Sequence, residues 1–165
     1  MTLEGAILPE AQFLPDGEAR TLLALVLAAE AGAGDEVPVG ALLNDALGRP
    51  VAGCGNVCLA GFDPVGHAEM RALRQAAGRV GNYRLTEASL QVSLEPCPLC
   101  REALALARVG KVEFAAHRLP QRGEKGTLAQ ASSALLRFFF RARRVDLNSD
   151  EDSAVMQDSL TGVER

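Results

Sequence analysis

The run LQVSLEPCPLC, residues 90–100, reads as a strand that turns into a helix. Leu90, Val92 and Leu94 alternate with Gln91, Ser93 and Glu95, which is the two-residue period of a β-strand with unlike faces. Pro96 then breaks the pattern, and a proline, having no backbone N–H to donate, suits the position just ahead of a helix. Residues 97–108 read as that helix. Cys97 and Cys100 are three apart, so on a first helical turn both sulfurs share a face. The positive end of the helix dipole favours thiolates there, the form of cysteine that binds metal.

The flanking chain keeps alternating helix and strand. Asp16 can cap a helix over Gly17–Ala33, and that helix is apolar on most sides (Leu22, Leu23, Leu25, Val26, Leu27), so a sheet or a partner should cover it. Residues 37–43 and 49–57 read as two strands joined by a turn over Asn44, Asp45 and Gly48. A helix over residues 67–77 follows, with Met70, Leu73 and Ala77 on one face, and Gly78 is expected to end it. Residues 111–115 read as a short strand with Val112 and Phe114 inward, and residues 127–144 as the last helix. This order predicts one α/β domain over residues 1–146, with helices packed on a mixed sheet.

Composition bounds the class. The chain has 165 residues, 48% hydrophobic and 23% charged, enough for one soluble domain that buries roughly two-thirds of its unfolded surface without disulfide staples. Its longest apolar run, residues 22–29, falls short of the ~20 residues of a membrane-spanning helix. Glu4 and Glu10, with no early Lys or Arg, argue against a signal peptide, and four cysteines then fit a reducing cytoplasm with metal or redox chemistry. Collagen-like, disordered, transmembrane and disulfide-scaffold classes are excluded.

The net charge of −4 hides an asymmetry. Residues 1–100 carry 6 basic and 12 acidic side chains, whereas residues 101–144 carry 10 basic and 3 acidic ones. An acidic chain can therefore still present a basic face to a polyanion, although such a stretch also fits a merely solvated surface. Residues 147–165 are acidic and read as a disordered tail.

His67-Ala68-Glu69 lies upstream of the two cysteines, with Asn56 before it. His67 and Glu69 do not share a lateral helix face, but both lean toward the start of their helix and can meet an ion lying beyond it. Two helix starts facing one ion supply one nitrogen and two sulfurs, and a tetrahedral zinc would then keep its fourth position for water. A C-x-x-C alone also fits a redox pair, a structural zinc knuckle or two buried cysteines. A four-cysteine site adding Cys54 and Cys58 would leave the histidine and glutamate idle, so these two are expected to be small buried strand residues. His117, in a basic loop, is expected at the surface.

These residues resemble the cytidine/deoxycytidylate deaminase superfamily and, within it, most nearly the bacterial tRNA-specific adenosine deaminases. The resemblance runs through Glu36-Val37-Pro38-Val39-Gly40-Ala41, Asn56, Asp63-Pro64, His67-Ala68-Glu69, Asn82-Tyr83-Arg84-Leu85 and Glu95-Pro96-Cys97 with Cys100. It resumes at Phe139-Phe140-Arg141-Ala142-Arg143-Arg144. It implies the three-layer cytidine-deaminase-like α/β fold, a homodimer, and one Zn2+ per subunit held by His67, Cys97 and Cys100. Glu69 would be the proton shuttle, and Asn56 and the backbone N–H of Ala68 would contact the flipped-out base. The implied reaction is hydrolysis of adenosine to inosine at the wobble position of a tRNA anticodon stem-loop. Arg137, Arg141 and Arg144, one stripe on the last helix, would face that RNA.

One departure stands out. Between Phe114 and the last helix there is room only for about residues 117–125, where the family typically adds a strand, so a fifth strand is in doubt. That shortening, with the acidic first hundred residues, leaves open a deaminase of a free nucleobase, nucleoside or nucleotide of guanine or cytosine type. A catalytically silent zinc-containing RNA-binding protein is the reading from another class.

Overall fold

The computed structural model describes residues 17–118 and 127–160, with side chains described as far as Arg144. Eight elements follow one another: α1 (Gly17–Ala33), β1 (Gly40–Asn44), β2 (Pro50–Gly55), α2 (Ala68–Val80), β3 (Ser89–Leu94), α3 (Pro98–Leu106), β4 (Lys111–Ala116) and α4 (Thr127–Leu160). Asp16, the expected cap of α1, lies outside the described residues. The four strands form one sheet in the order β2-β1-β3-β4. β1 pairs antiparallel with β2 and with β3, while β3 and β4 run parallel, so the sheet is mixed.

Helices cover both faces, giving three layers. On one face Ala41, Leu43, Leu90 and Val92 pack with Ala68, Ala72, Leu73 and Ala76 of α2 and with Leu104 of α3. On the other, α1 lies so close to β1 that a Cβ on Gly40 would fall 2.5 Å from the backbone nitrogen of Ala28. Only glycine permits that approach. α4 packs beside α1, where Ser132 Oγ donates to the Ser93 carbonyl at 2.6 Å.

The polar set of β3 turns toward α1 and α4 rather than toward water. Gln91 and Ser93 are fully buried. Asn44 Nδ2 donates to Gln91 Oε1 at 2.5 Å, and Gln91 Nε2 donates to Glu113 Oε2 at 2.8 Å. A buried amide left without partners would cost about 1–3 kcal/mol, so this chain of bonds lets a polar strand face lie inside the domain.

Several expectations are corrected. Gly78 does not end α2: the helix runs to Val80, and Gly81, at φ 69°, closes it with its N–H on the Ala77 carbonyl. Helix ends are set by the residue that can take the left-handed conformation, and Gly78 is not in it. Val112 and Phe114 share a face with Leu90 and Val92 by register but stay 39% and 36% exposed, because β4 is the edge strand of the described sheet. The backbone of α4 continues to Leu160, through most of the stretch read as a disordered tail. No glycine or proline interrupts residues 127–160, which lets helical hydrogen bonding persist there. No described helix is long and apolar enough to cross a membrane.

A Cβ on Gly78 would meet nothing within 4 Å. Gly78→Ala should therefore raise stability by about 0.5–1 kcal/mol, whereas Gly81→Ala should lower it by about 1 kcal/mol. Urea midpoints read this directly; a loss at Gly78 or no loss at Gly81 would contradict the helix end described above.

Candidate metal centre and active site

Two helices begin at the site. His67 is the residue before the first turn of α2, extended at φ −68° and ψ 148°, and its side chain caps nothing. Cys97 holds the same position on α3, with Pro98 opening the helix, and its Sγ accepts the Cys100 N–H at 3.5 Å. Cys100, one turn in, is fully buried. His67 Nδ1 lies 3.3 Å from Cys100 Sγ and 3.5 Å from Cys97 Sγ. The three ligand atoms all fall within 4.8 Å of one another, and no other His, Cys, Asp and Glu group gathers this way among the described residues.

The donor set fits zinc. With N and S about 2.0–2.3 Å from a tetrahedral ion, an N···S separation of about 3.5 Å is required, close to both distances here. Burial, with the Glu69 carboxylate beside it, pushes the Cys100 thiol far above the ordinary cysteine range. A thiolate forms in such a place when a cation is there to meet it. Cys54 is buried in β2, and Cys58 lies beyond that strand, half-buried in the following loop rather than in the strand itself. Neither joins the set.

Glu69 is 4% exposed, in the first turn of α2. Burial raises its carboxyl above the ordinary range, against its own backbone N–H, the His67 charge and a hydrogen bond with Cys100. It stands beside the sulfur yet outside the gathered ligand set. A carboxyl so placed can exchange a proton without occupying the metal.

Asn56 follows β2 and is 7% exposed. Its N–H donates to the Val39 carbonyl at 3.0 Å, and its Oδ1 accepts the Ala68 N–H at 2.8 Å. The Ala68 donor is thus engaged by Asn56, which fixes the amide of Asn56 against the start of α2.

Other residues around the site take roles that the sequence pattern did not show. Glu95 accepts from His117 Nδ1 at 3.1 Å and from the Arg118 N–H at 3.3 Å, and pairs with Arg101. His117 also meets the Phe114 ring edge-on with centroids 4.9 Å apart, so it is a half-buried clip between β4 and the Pro96–Cys97 turn rather than a free surface residue. Glu36, 4% exposed, accepts three backbone N–H groups from the loop before His67. Only long-range folding brings these partners together.

Arg137, Arg141 and Arg144 are exposed on α4, and Arg137 lines a 490 Å³ cleft with His117, Arg118 and Phe140. Arg143, outside that stripe, donates to the Asp35 carbonyl at 2.8 Å and lies over the Phe139 ring. Phe139 is buried, whereas Phe138 is 77% exposed.

Comparison with known proteins bears on this geometry. Residues 16–116 match the model of the cytidine and deoxycytidylate deaminase zinc-binding region. The chain is 38% identical over 144 residues to a tRNA-specific adenosine deaminase of Agrobacterium fabrum, spanning 75% of this chain and 93% of that protein. A solved structure from work on A-to-I editing by tRNA:A34 deaminases superposes with a TM-score of 0.59 at 40% identity, over 61% of this chain and 76% of the other. A guanine deaminase of Bacillus subtilis gives a TM-score of 0.60 at 36% identity, over 62% and 65%. With the family model covering most of the described sheet and both helix starts, and a relative matched along nearly its whole length, the chain belongs to the zinc-binding cytidine and deoxycytidylate deaminase family.

Proposed function

We propose that this protein is a zinc-dependent hydrolase that deaminates adenosine to inosine at the wobble position of a tRNA anticodon stem-loop. The observation that carries the reading is one imidazole and two sulfurs gathered at two helix starts, with the buried Glu69 beside them and outside the set. The likeness to a tRNA-specific adenosine deaminase supports the substrate. His67, Cys97 and Cys100 hold the ion in this reading. When bound, zinc supplies a water acidic enough to ionise near neutral pH. Glu69, in its ionised form, would take one proton from that water and deliver it to N1 of the adenine. The water oxygen would bond to C6, the proton remaining on that oxygen would pass through Glu69 to the amino group, and the C6–N bond would break to release ammonia and leave the C6 carbonyl of inosine. Asn56, fixed by Ala68, orients the base through its amide nitrogen.

The RNA is held on α4. Arg137, Arg141 and Arg144 meet phosphates, and the cleft beneath Arg137 is lined by Leu94, the last residue of β3, three positions before Cys97. We place the protein in the cytoplasm as a homodimer, in keeping with a tRNA substrate. A guanine deaminase is the second reading, favoured by the likeness to the Bacillus subtilis enzyme.

Purified protein, assayed for zinc and then offered an anticodon stem-loop, adenosine, cytidine and guanine, should release ammonia from the stem-loop alone. Release from guanine or another monomer would favour the second reading, and no release from any would leave a silent RNA-binding protein. Glu69→Gln should keep its zinc and lose turnover by about 10²–10⁴-fold; near-normal turnover would remove Glu69 from proton transfer. Cys97→Ala should lose zinc and activity together. Neutralising the three arginines should weaken stem-loop binding and reduce the slope of log affinity against log salt by about 2. An unchanged slope would mean the stripe is a solvated face.

A further inference from the structure

We propose that Glu36 is a positioning residue for this reaction: its buried carboxylate fixes the loop that joins Asn56 to His67. The inference rests on the deaminase reading of the site. Glu36 sits between α1 and β1, far from the reacting groups in sequence. Its Oε2 accepts the Cys58 N–H at 2.9 Å and the Leu59 N–H at 3.1 Å, while Oε1 accepts the same Leu59 N–H at 2.8 Å and the Ala60 N–H at 2.7 Å. Three successive N–H groups thus converge on one carboxylate, the arrangement by which a chain wraps an anion. Burial works against ionisation here, but these bonds and the nearby Arg143 outweigh it and hold the carboxyl below its usual range.

The loop so held has little freedom of its own. Its neck is closed by the Val57 N–H on the Gly66 carbonyl at 2.9 Å, and the Asp63 N–H reaches the Cys58 carbonyl at 3.1 Å. A Cβ on Gly66 would fall 2.5 Å from the Val57 oxygen, so the strands of the loop lie back to back. Phe62, at the tip, is 93% exposed and sits at φ 46°, a left-handed conformation that a bulky residue adopts only when its surroundings impose it. The Phe62 N–H turns back to the Leu59 carbonyl at 3.3 Å, beside the N–H groups that Glu36 holds. At the two ends of the loop stand the amide that orients the base and the imidazole of the metal set. A shift of about 1 Å between such groups costs on the order of 10²-fold in rate.

The test compares Glu36→Gln and Glu36→Ala with Ser132→Ala, which removes the buried hydroxyl bond to the Ser93 carbonyl and touches none of residues 56–67. Four quantities are read: thermal midpoint, zinc per chain, amide exchange at residues 58–60, and kcat and KM on the substrate that the wild type turns over. Glu36→Gln should fold and keep its zinc, exchange those amides about tenfold faster, and lose about 10–100-fold in kcat per zinc-loaded chain. Ser132→Ala should lower the midpoint with kcat unchanged. Wild-type kcat and exchange in Glu36→Gln would overturn the proposal, as would a kcat loss that merely tracks lost zinc or lost fold. Should Glu36→Ala not fold, Glu36→Gln decides. If the wild type deaminates nothing offered, the deaminase reading fails on its own, and exchange at residues 58–60 still tests Glu36: unchanged protection overturns its hold on the loop.

Discussion

The structure depends on two helices starting at one point. His67 stands at the head of α2 and Cys97 at the head of α3, both in extended backbone just outside their helices. Each helix start directs the positive end of a dipole at the same small volume. Burial nevertheless holds the Cys100 thiol and the Glu69 carboxyl toward their neutral forms, so it is a cation that draws the sulfurs into thiolate there. The sheet makes the meeting possible: β2 leads toward Asn56 and His67, while β3, next but one in the sheet, leads straight into Pro96 and Cys97.

That geometry also explains the division of labour around the site. The ligand atoms lie close together because they come from helix starts, where the first turn is short and rigid. Glu69, one residue into α2, falls beside the ligands instead of among them. The longer connections are stabilised by carboxylates outside the site. Glu36 gathers the loop before His67, and Glu95 gathers Arg101, His117 and the Arg118 backbone around the turn before Cys97. Each of the two chain segments entering the site is thus tied by an acid that takes no part in coordination.

Much of this was legible in residue order, and what was not has a common cause. The alternation of Leu90 to Glu95 and the Pro-Cys start of α3 are local patterns, and local patterns carry strand and helix identity. His67-x-Glu69 and Cys97-x-x-Cys100 are each local too, and the structure brings His67, Cys97 and Cys100 together. By contrast, Gly78 and Gly81 look alike in sequence, and only the backbone angle shows which one closes α2. Val112 and Phe114 have the inward pattern of a strand, but an edge position decides how much covering they receive. Glu36 lies in a matched stretch and His117 in a basic loop, but neither pattern says what the side chain holds, because the partners lie about 22 positions away in the chain.

The claim at the centre is that one nitrogen and two sulfurs of this chain bind a single zinc ion with a place left for water. X-ray absorption at the zinc edge, on protein purified with its metal, measures that directly. The account requires two sulfur scatterers at about 2.3 Å and two lighter N or O scatterers at about 2.0 Å. A shell of four sulfurs, or a spectrum with no sulfur at all, would contradict it.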